Sequence, residues 1–434
     1  MIKRALALGL ASLVIFSISM PSSNAATKTG TACGRAGQGK IVNGIKYTCT
    51  RSSSKLHWVI ARAIQKQLPA HSPVVVNPAE ACKLPNGSGV RPDVAIGWPR
   101  IANRMNTMGV LNVKVIMVDF SDAVATRSPV DAFAFINPGA ADTFQEMSYG
   151  RMTYKMDPTL KWYRMSQPSS SYSFSTFLDQ KSYIQEAVQL ASHDVDFSKV
   201  DSFIVLANPD APHLTFGPAF TPLPGNGVTI QGNYLGNGAT SSHDILTWGS
   251  IWLNHEISHT LGLVDLYAFT ELNNSYDSIF RFTGDFSYMG SLSSKSNSRS
   301  LLAWERWLLG WIDDSQIHCQ ISGISTTTLT PIERSGGTKA LIVPTGNYTA
   351  VVVESRRAEG LDKNMTKTGV LVYSVDTSIA SGFGPIQIQN AKPNDLGFTQ
   401  SPLAMGETLT IGTVTVKVAT SDSTGDIVNV TVAN

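Results

Sequence analysis

Residues 254–267 read Asn254-His255-Glu256-Ile257-Ser258-His259-Thr260-Leu261-Gly262-Leu263-Val264-Asp265-Leu266-Tyr267. Residues four apart share one face of an α-helix, so the imidazoles of His255 and His259 can converge on a single cation. Zinc accepts such nitrogens, and a catalytic zinc keeps one position open for water. Glu256, beside the first of the pair, is placed to take a proton from that water, whose pKa the metal lowers. A third ligand has to come from beyond the helix. Gly262 supplies the means, because a glycine at a helix C-terminus can adopt the left-handed conformation that turns the chain sharply. Asp265, three residues on, can then fold back, and a carboxylate oxygen is an acceptable zinc ligand.

Working outward, the spacing of two helix ligands, a turning glycine and a third ligand matches the metzincin pattern, with Asp265 where a third His is usual. Downstream, Asp285-Phe286-Ser287-Tyr288-Met289-Gly290 puts Met289 in a tight turn, and in metzincins such a Met forms an apolar floor beneath the ligands. Tyr288 and Tyr267 fall where a side chain could bond a transition-state oxyanion or brace a ligand. Plain packing is the simpler reading of each of these three. Short His-Glu-x-x-His motifs also arise by chance in helices, so the weight falls on the combination with Gly262, Asp265 and Met289.

The N-terminus fixes the expected compartment. Lys3 and Arg4 precede an apolar run from Ala5 to about Met20 and then Pro21-Ser22-Ser23-Asn24-Ala25-Ala26, which reads as a secretory signal peptide over residues 1–25, cleaved after Ala25. The run is short for a membrane span and no later stretch is longer, so a secreted, extracellular protein without a transmembrane anchor is expected. Losing Lys3 and Arg4 leaves 32 basic against 32 acidic residues. That balance gives no reason to expect a nucleic-acid partner. In an oxidising space the four cysteines, Cys33, Cys49, Cys82 and Cys319, are expected in disulfides. Of the three pairings possible for four cysteines, Cys33 with Cys49 is favoured because they bracket one compact Gly-rich segment, which leaves Cys82 for Cys319. A free Cys82 thiolate latched onto the zinc is the alternative.

The chain divides by composition. Residues 26–60 read as a small cysteine-stapled β module, with Asn43-Gly44 as a hairpin turn. Residues 61–91, with Pro69, Pro73, Pro78 and Pro85, read as a linker or pro-segment. Over 92–313, a strand at Val113–Phe120, helix-rich sequence at 128–150, one or two strands at 152–165, a helix at 181–192, a strand at 202–207 and the metal helix from near Trp248 to Gly262 predict an α/β or α+β catalytic domain. From 314 to 434 the β-branched runs 339–343, 348–354, 369–373, 414–418 and 427–432 predict a β-sandwich-like C-terminal region.

The strand Val113–Phe120, Glu146-Met147-Ser148-Tyr149-Gly150-Arg151, the 255–267 motif, Ser287-Tyr288-Met289 and Ala303-Trp304-Glu305-Arg306-Trp307-Leu308-Leu309-Gly310-Trp311-Ile312 together resemble the immune inhibitor A family of secreted zinc metallopeptidases, within the zincins. The likeness spans roughly residues 110–380. It implies an endopeptidase acting on protein or peptide substrates, with a metzincin-like core followed by β-rich sequence. The family's ligand positions fall on His255, His259 and Asp265, and its general base on Glu256. Ile257-Ser258 departs from the larger-then-small pair usual between the ligands, a change in helix packing. The N-terminal cysteine module lies outside the likeness.

Two other readings stand beside it: a zinc hydrolase of another amide, and a secreted binding or surface-associated factor with a vestigial site. An intact Glu256 argues against the second, since a purely structural site does not require it. Asp119, Asp122, Asp277 and Asp285 are candidates for a structural calcium site, although scattered loop carboxylates are usually solvated or cap helices. His57, His71, His193, His213, His243 and His318 show no ligand spacing, His243 being the nearest to the metal helix. No nucleophile-elbow pattern surrounds any serine.

Overall fold

The structure is a computed structural model that describes residues 31–42, 45–52, 55–60, 77–241, 243–291, 300–389, 395 and 398–433. The expected signal peptide, the Asn43-Gly44 turn, residues 61–76 of the expected linker and His71 lie outside the described residues. The chain forms two compact units, residues 1–72 and 73–434.

In the first unit, β1 (Gly39–Val42), β2 (Ile45–Ser52) and β3 (Lys55–Ile60) make an antiparallel sheet in sequence order. Cys49 lies opposite Trp58 and is disulfide-bonded to Cys33. Tyr47, Cys49 and Trp58 are the buried core. So few apolar side chains cannot hold a sheet alone, and the disulfide supplies the missing constraint.

The second unit starts from β4 (Gly109–Asp119), followed by α1 (Pro129–Phe133), α2 (Gly139–Met147), β5 (Met152–Arg164), α3 (Phe177–Ala191) and β6 (Ser202–Ala207). Short strands β7 (Ala219–Phe220), β8 (Val228–Ile230), β9 (Asn233–Leu235) and β10 (Gly238–Thr240) then lead to α4 (Ile245–Trp248) and α5 (Ser250–Thr260). The main sheet has the order β5-β4-β6-β10-β7, parallel except for β7, which runs antiparallel at one edge. Side chains of β4 alternate between two cores: Val113, Val115 and Met117 pack with Phe144 of α2 and Leu253 and Ile257 of α5, whereas Ile116 and Val118 pack with Tyr183, Ile184 and Ala187 of α3. Burial on both faces is why this strand reads as one apolar run.

One element differs from its sequence reading and two open points are resolved. Helix α3 starts at Phe177 and not at 181, because the Thr176 side chain caps it by accepting from the Asp179 N–H. Residues 152–164 are a single strand, whose register against β4 shifts between Val115 and Met117, next to Pro158. The metal helix, expected from near Trp248, starts at Ser250, parted from the short α4 by Gly249, whose φ of 54° favours glycine.

After α6 (Ala303–Leu308) the chain is β-rich: β11 (Ile317–Cys319), β12 (Gly323–Leu329), β13 (Ala340–Pro344), β14 (Thr349–Arg356), β15 (Gly369–Asp376), β16 (Ile386–Ile388), β17 (Thr408–Ile411), β18 (Val414–Asp422) and β19 (Gly425–Val432). These form two sheets, β11-β13-β14-β15-β16 and β12-β19-β18-β17. Val351, Val353, Val370 and Val372 of the first pack with Val414, Val416, Val418, Val428 and Val430 of the second, a sandwich-like core. The other face of the first sheet, through Val352, Leu371 and Tyr373, belongs to the same core as α5 and α6. The expected division at 313/314 is therefore not a gap in the packing.

Residues 77–91 are likewise part of the body of this unit and not a free tether: Ala79, Cys82 and Leu84 are buried in the shared core, and Cys82 is disulfide-bonded to Cys319. This pairing removes Cys82 as a thiolate latch. Two buried arginines fasten the segment ahead of α6. Arg356 is held by Glu354 at 2.5 Å and Asp362 at 2.6 Å and donates to the Leu301 carbonyl at 3.2 Å, where Arg306 Nε also donates at 3.2 Å. Among the described residues no helix is long and apolar enough to cross a membrane.

Candidate metal centre

The C-terminus of α5 places the ligands. Leu263 N–H donates to the Ser258 carbonyl at 3.0 Å and Gly262 N–H to the His259 carbonyl at 2.9 Å, the paired bonds of a Schellman cap, with Gly262 at φ 100°. The turn is held from outside by the Ala95 N–H, which donates to the Gly262 carbonyl at 3.0 Å. The chain then comes back over the helix, and Asp265 Oδ1 lies 3.2 Å from both His255 Nε2 and His259 Nε2. The two imidazoles stand nearly perpendicular, their centroids 4.9 Å apart. Ligand atoms of the three side chains fall within 4.8 Å of one another, and this is the one such convergent group among the described residues.

Both rings are oriented by backbone carbonyls. His255 Nδ1 lies 2.9 Å from the Tyr288 carbonyl and His259 Nδ1 lies 2.9 Å from the Leu263 carbonyl. A carbonyl can only accept, so each Nδ1 carries the hydrogen and each Nε2 is left to face the centre. His255 is 2% exposed and Asp265 7%. Burial opposes charge on Asp265 and on His259, yet their mutual attraction wins: Asp265 is held well below the usual carboxylate range, and His259 is pushed up to about 9 by the Asp265 and Glu256 charges. Asp265 and His259 stabilise each other's charge beside the second imidazole, a preassembled cluster able to receive a divalent cation.

Asp265 has a partner that the sequence did not disclose. Ser381, 2% exposed and on the β15–β16 connection, donates from Oγ to Asp265 Oδ2 at 3.0 Å and accepts from the Asp265 N–H at 2.9 Å. The Gly382 N–H donates to the Asp265 carbonyl at 3.1 Å. The bond to Oδ2 leaves Oδ1 as the oxygen aimed at the histidines. A lone loop serine more than a hundred residues downstream carries no motif, so only the fold reveals it.

Glu256 is half-buried, and its Oε2 accepts from the Ala219 N–H at 2.7 Å, on the edge strand β7. Burial lifts its carboxyl above the usual range, against the pull of His255, His259 and the Ala219 N–H. Tyr267 is half-buried and its ring lies over that of His255, centroids 5.9 Å apart, while burial and the Asp265 charge push its hydroxyl up. Tyr288 serves differently from an oxyanion donor: its hydroxyl is engaged with Ser258 Oγ at 2.8 Å inside the core, and its carbonyl braces His255. Met289 is fully buried in the core that contains Ile257 and Leu263, and its carbonyl accepts from the Leu266 N–H at 2.8 Å.

The remaining candidates lie apart. Asp119 is clamped by Arg164 through hydrogen bonds of 2.6 and 2.9 Å, and Asp122 accepts from the Ser169 N–H and hydroxyl, so both carboxylates are engaged within the protein and join no convergent group of metal-binding side chains. Asp277 and Asp285 join no convergent group. His243 is exposed, with Nδ1 3.0 Å from the Pro209 carbonyl, and His318 meets Thr327 Oγ1 at 3.3 Å. Set against known proteins, the chain matches no family model and no curated protein.

Proposed function

We propose that the chain is a secreted zinc-dependent endopeptidase, in which His255, His259 and Asp265 hold the metal and Glu256 is the general base. The observation that carries this reading is the convergence of those three ligand atoms beside a carboxylate that takes no part in the cluster's bonds. Two imidazole nitrogens and one carboxylate oxygen are a donor set suited to zinc with an open position, whereas calcium and magnesium favour six or more oxygens. The bound ion would supply Lewis acidity toward a carbonyl oxygen and make water acidic near neutral pH.

The chain's own groups supply the rest. Glu256 takes a proton from water and returns it to the departing amide nitrogen, and a carboxyl lifted above its usual range suits both halves of that transfer. The Ala219 N–H bonded to Glu256 belongs to β7, the last strand of the sheet, so an extended peptide laid along that edge passes the base. Two disulfides and the signal-like N-terminus support export. The test is to strip the purified protein with a chelator, return zinc, and follow casein fragments by mass spectrometry. Internal cleavage that disappears with the metal and returns with it is expected. Cleavage indifferent to the chelator, or none at any zinc level, contradicts the proposal.

A further inference from the structure

The first acidic residue of the chain is Glu80. Residues 1–79 hold ten of the 34 Lys and Arg and none of the 32 Asp and Glu, which leaves 24 basic against 32 acidic in residues 80–434. The near-neutral whole thus hides a strongly basic N-terminal part on an acidic remainder. We infer that the cysteine-stapled sheet of residues 31–60 is a docking surface for a linear phosphate-bearing polyanion.

The described sheet shows how the charge is displayed. Tyr47, Cys49 and Trp58 point into the small core, so the alternation of β2 and β3 puts Lys46, Thr48, Thr50 and Ser52, with Lys55 and His57 across from them, on the other face. Lys46 and Lys55 are exposed there, whereas exposed Arg51, paired with Leu56, alternates to the opposite face. No carboxylate occurs in the module to neutralise any of them. From Lys46 to the Ser52–Lys55 pair is roughly 20 Å at the usual rise per strand residue. Charges spread along a strand in this way suit a chain of anionic groups better than one small ion. Ammonium groups interleaved with hydroxyls are the donors that phosphate oxygens accept from. Tyr47 and Trp58 are buried in the core of this sheet, so neither ring is offered to nucleobases on its exposed face. That favours a phosphate polymer without bases.

The test uses the whole secreted chain, long-chain inorganic polyphosphate as probe, and a double variant, Lys46→Glu with Lys55→Glu. Circular dichroism and mapping of the Cys33–Cys49 peptide confirm the variant's fold, and its casein turnover stays at the wild-type level. Expected for wild type is binding that weakens with salt, log K falling by about 0.7 per unit of log salt for each phosphate neutralised. The variant binds at least about ten-fold more weakly, with a slope shallower by about 0.7 for each phosphate that is no longer neutralised. Salt-independent binding, an unaltered variant, or no binding at about 0.1 M salt overturns the inference. Equal binding of polyglutamate, or tighter binding of single-stranded DNA, overturns the phosphate-polymer assignment. Because peptide turnover is read separately, failure here leaves the peptidase proposal standing.

Discussion

Replacing Ser381 by Ala removes one hydroxyl from the β-rich half of the second unit, and we predict that it weakens zinc binding at a site more than a hundred residues earlier. The hydroxyl supplies a donor to Asp265 Oδ2 at 3.0 Å and an acceptor for the Asp265 N–H at 2.9 Å, at a position 2% exposed. A buried hydrogen bond to a charged group contributes about 1.5–3 kcal/mol. Removing such a support from a metal ligand typically costs about 10–100-fold in metal affinity, or about 1.4–2.7 kcal/mol. The assay is zinc competition against a chelator of known affinity, run on wild type, Ser381→Ala and Ser381→Thr, with melting of the metal-free proteins alongside. The expected result is a ten-fold or greater loss in the Ala variant, largely restored by Thr. A lower melting temperature with wild-type zinc affinity would make Ser381 a packing residue and refute the reasoning.

Asp265→Ala leaves two protein ligands, so it should lose stoichiometric zinc under the same competition; full retention would mean the third ligand lies elsewhere. The Cys82–Cys319 bridge closes a sequence separation of 237 residues, and Cys82→Ala with Cys319→Ala should lower stability by up to about 5.5 kcal/mol in the chain-entropy picture, read from denaturant midpoints. Arg356→Met strands Glu354 and Asp362 without their shared cation, and a loss of about 3–5 kcal/mol in the same measurement is expected; an unchanged midpoint would show that the network is dispensable.

The sequence revealed what local periodicity encodes. The i, i+4 spacing of His255 and His259 and the cap at Gly262 are properties of one helix and its end, so the convergence with Asp265 could be read ahead of the fold. Strand β4 was legible because burial on both faces forces an apolar run. What escaped was non-local. The Ser381 bond to Asp265, the Ala219 N–H on Glu256 and the use of the Tyr288 carbonyl in place of its hydroxyl depend on which loops the sheets bring together. The exact start of the metal helix stayed open because glycine at the edge of an apolar helical pattern does not show whether it will be helical or a break, which Gly249 is. The role of residues 77–91 was masked by their prolines, which suggest a tether even where Cys82 and Leu84 are buried.

The central claim is most directly tested by measuring zinc content and casein turnover together on wild type and Glu256→Gln. Gln keeps the size of the side chain but cannot take a proton from water, and Glu256 is assigned no bond to the metal. The account predicts one zinc per chain in both proteins, with turnover in the variant reduced at least about a hundred-fold. Turnover near that of wild type in the zinc-loaded variant would contradict it.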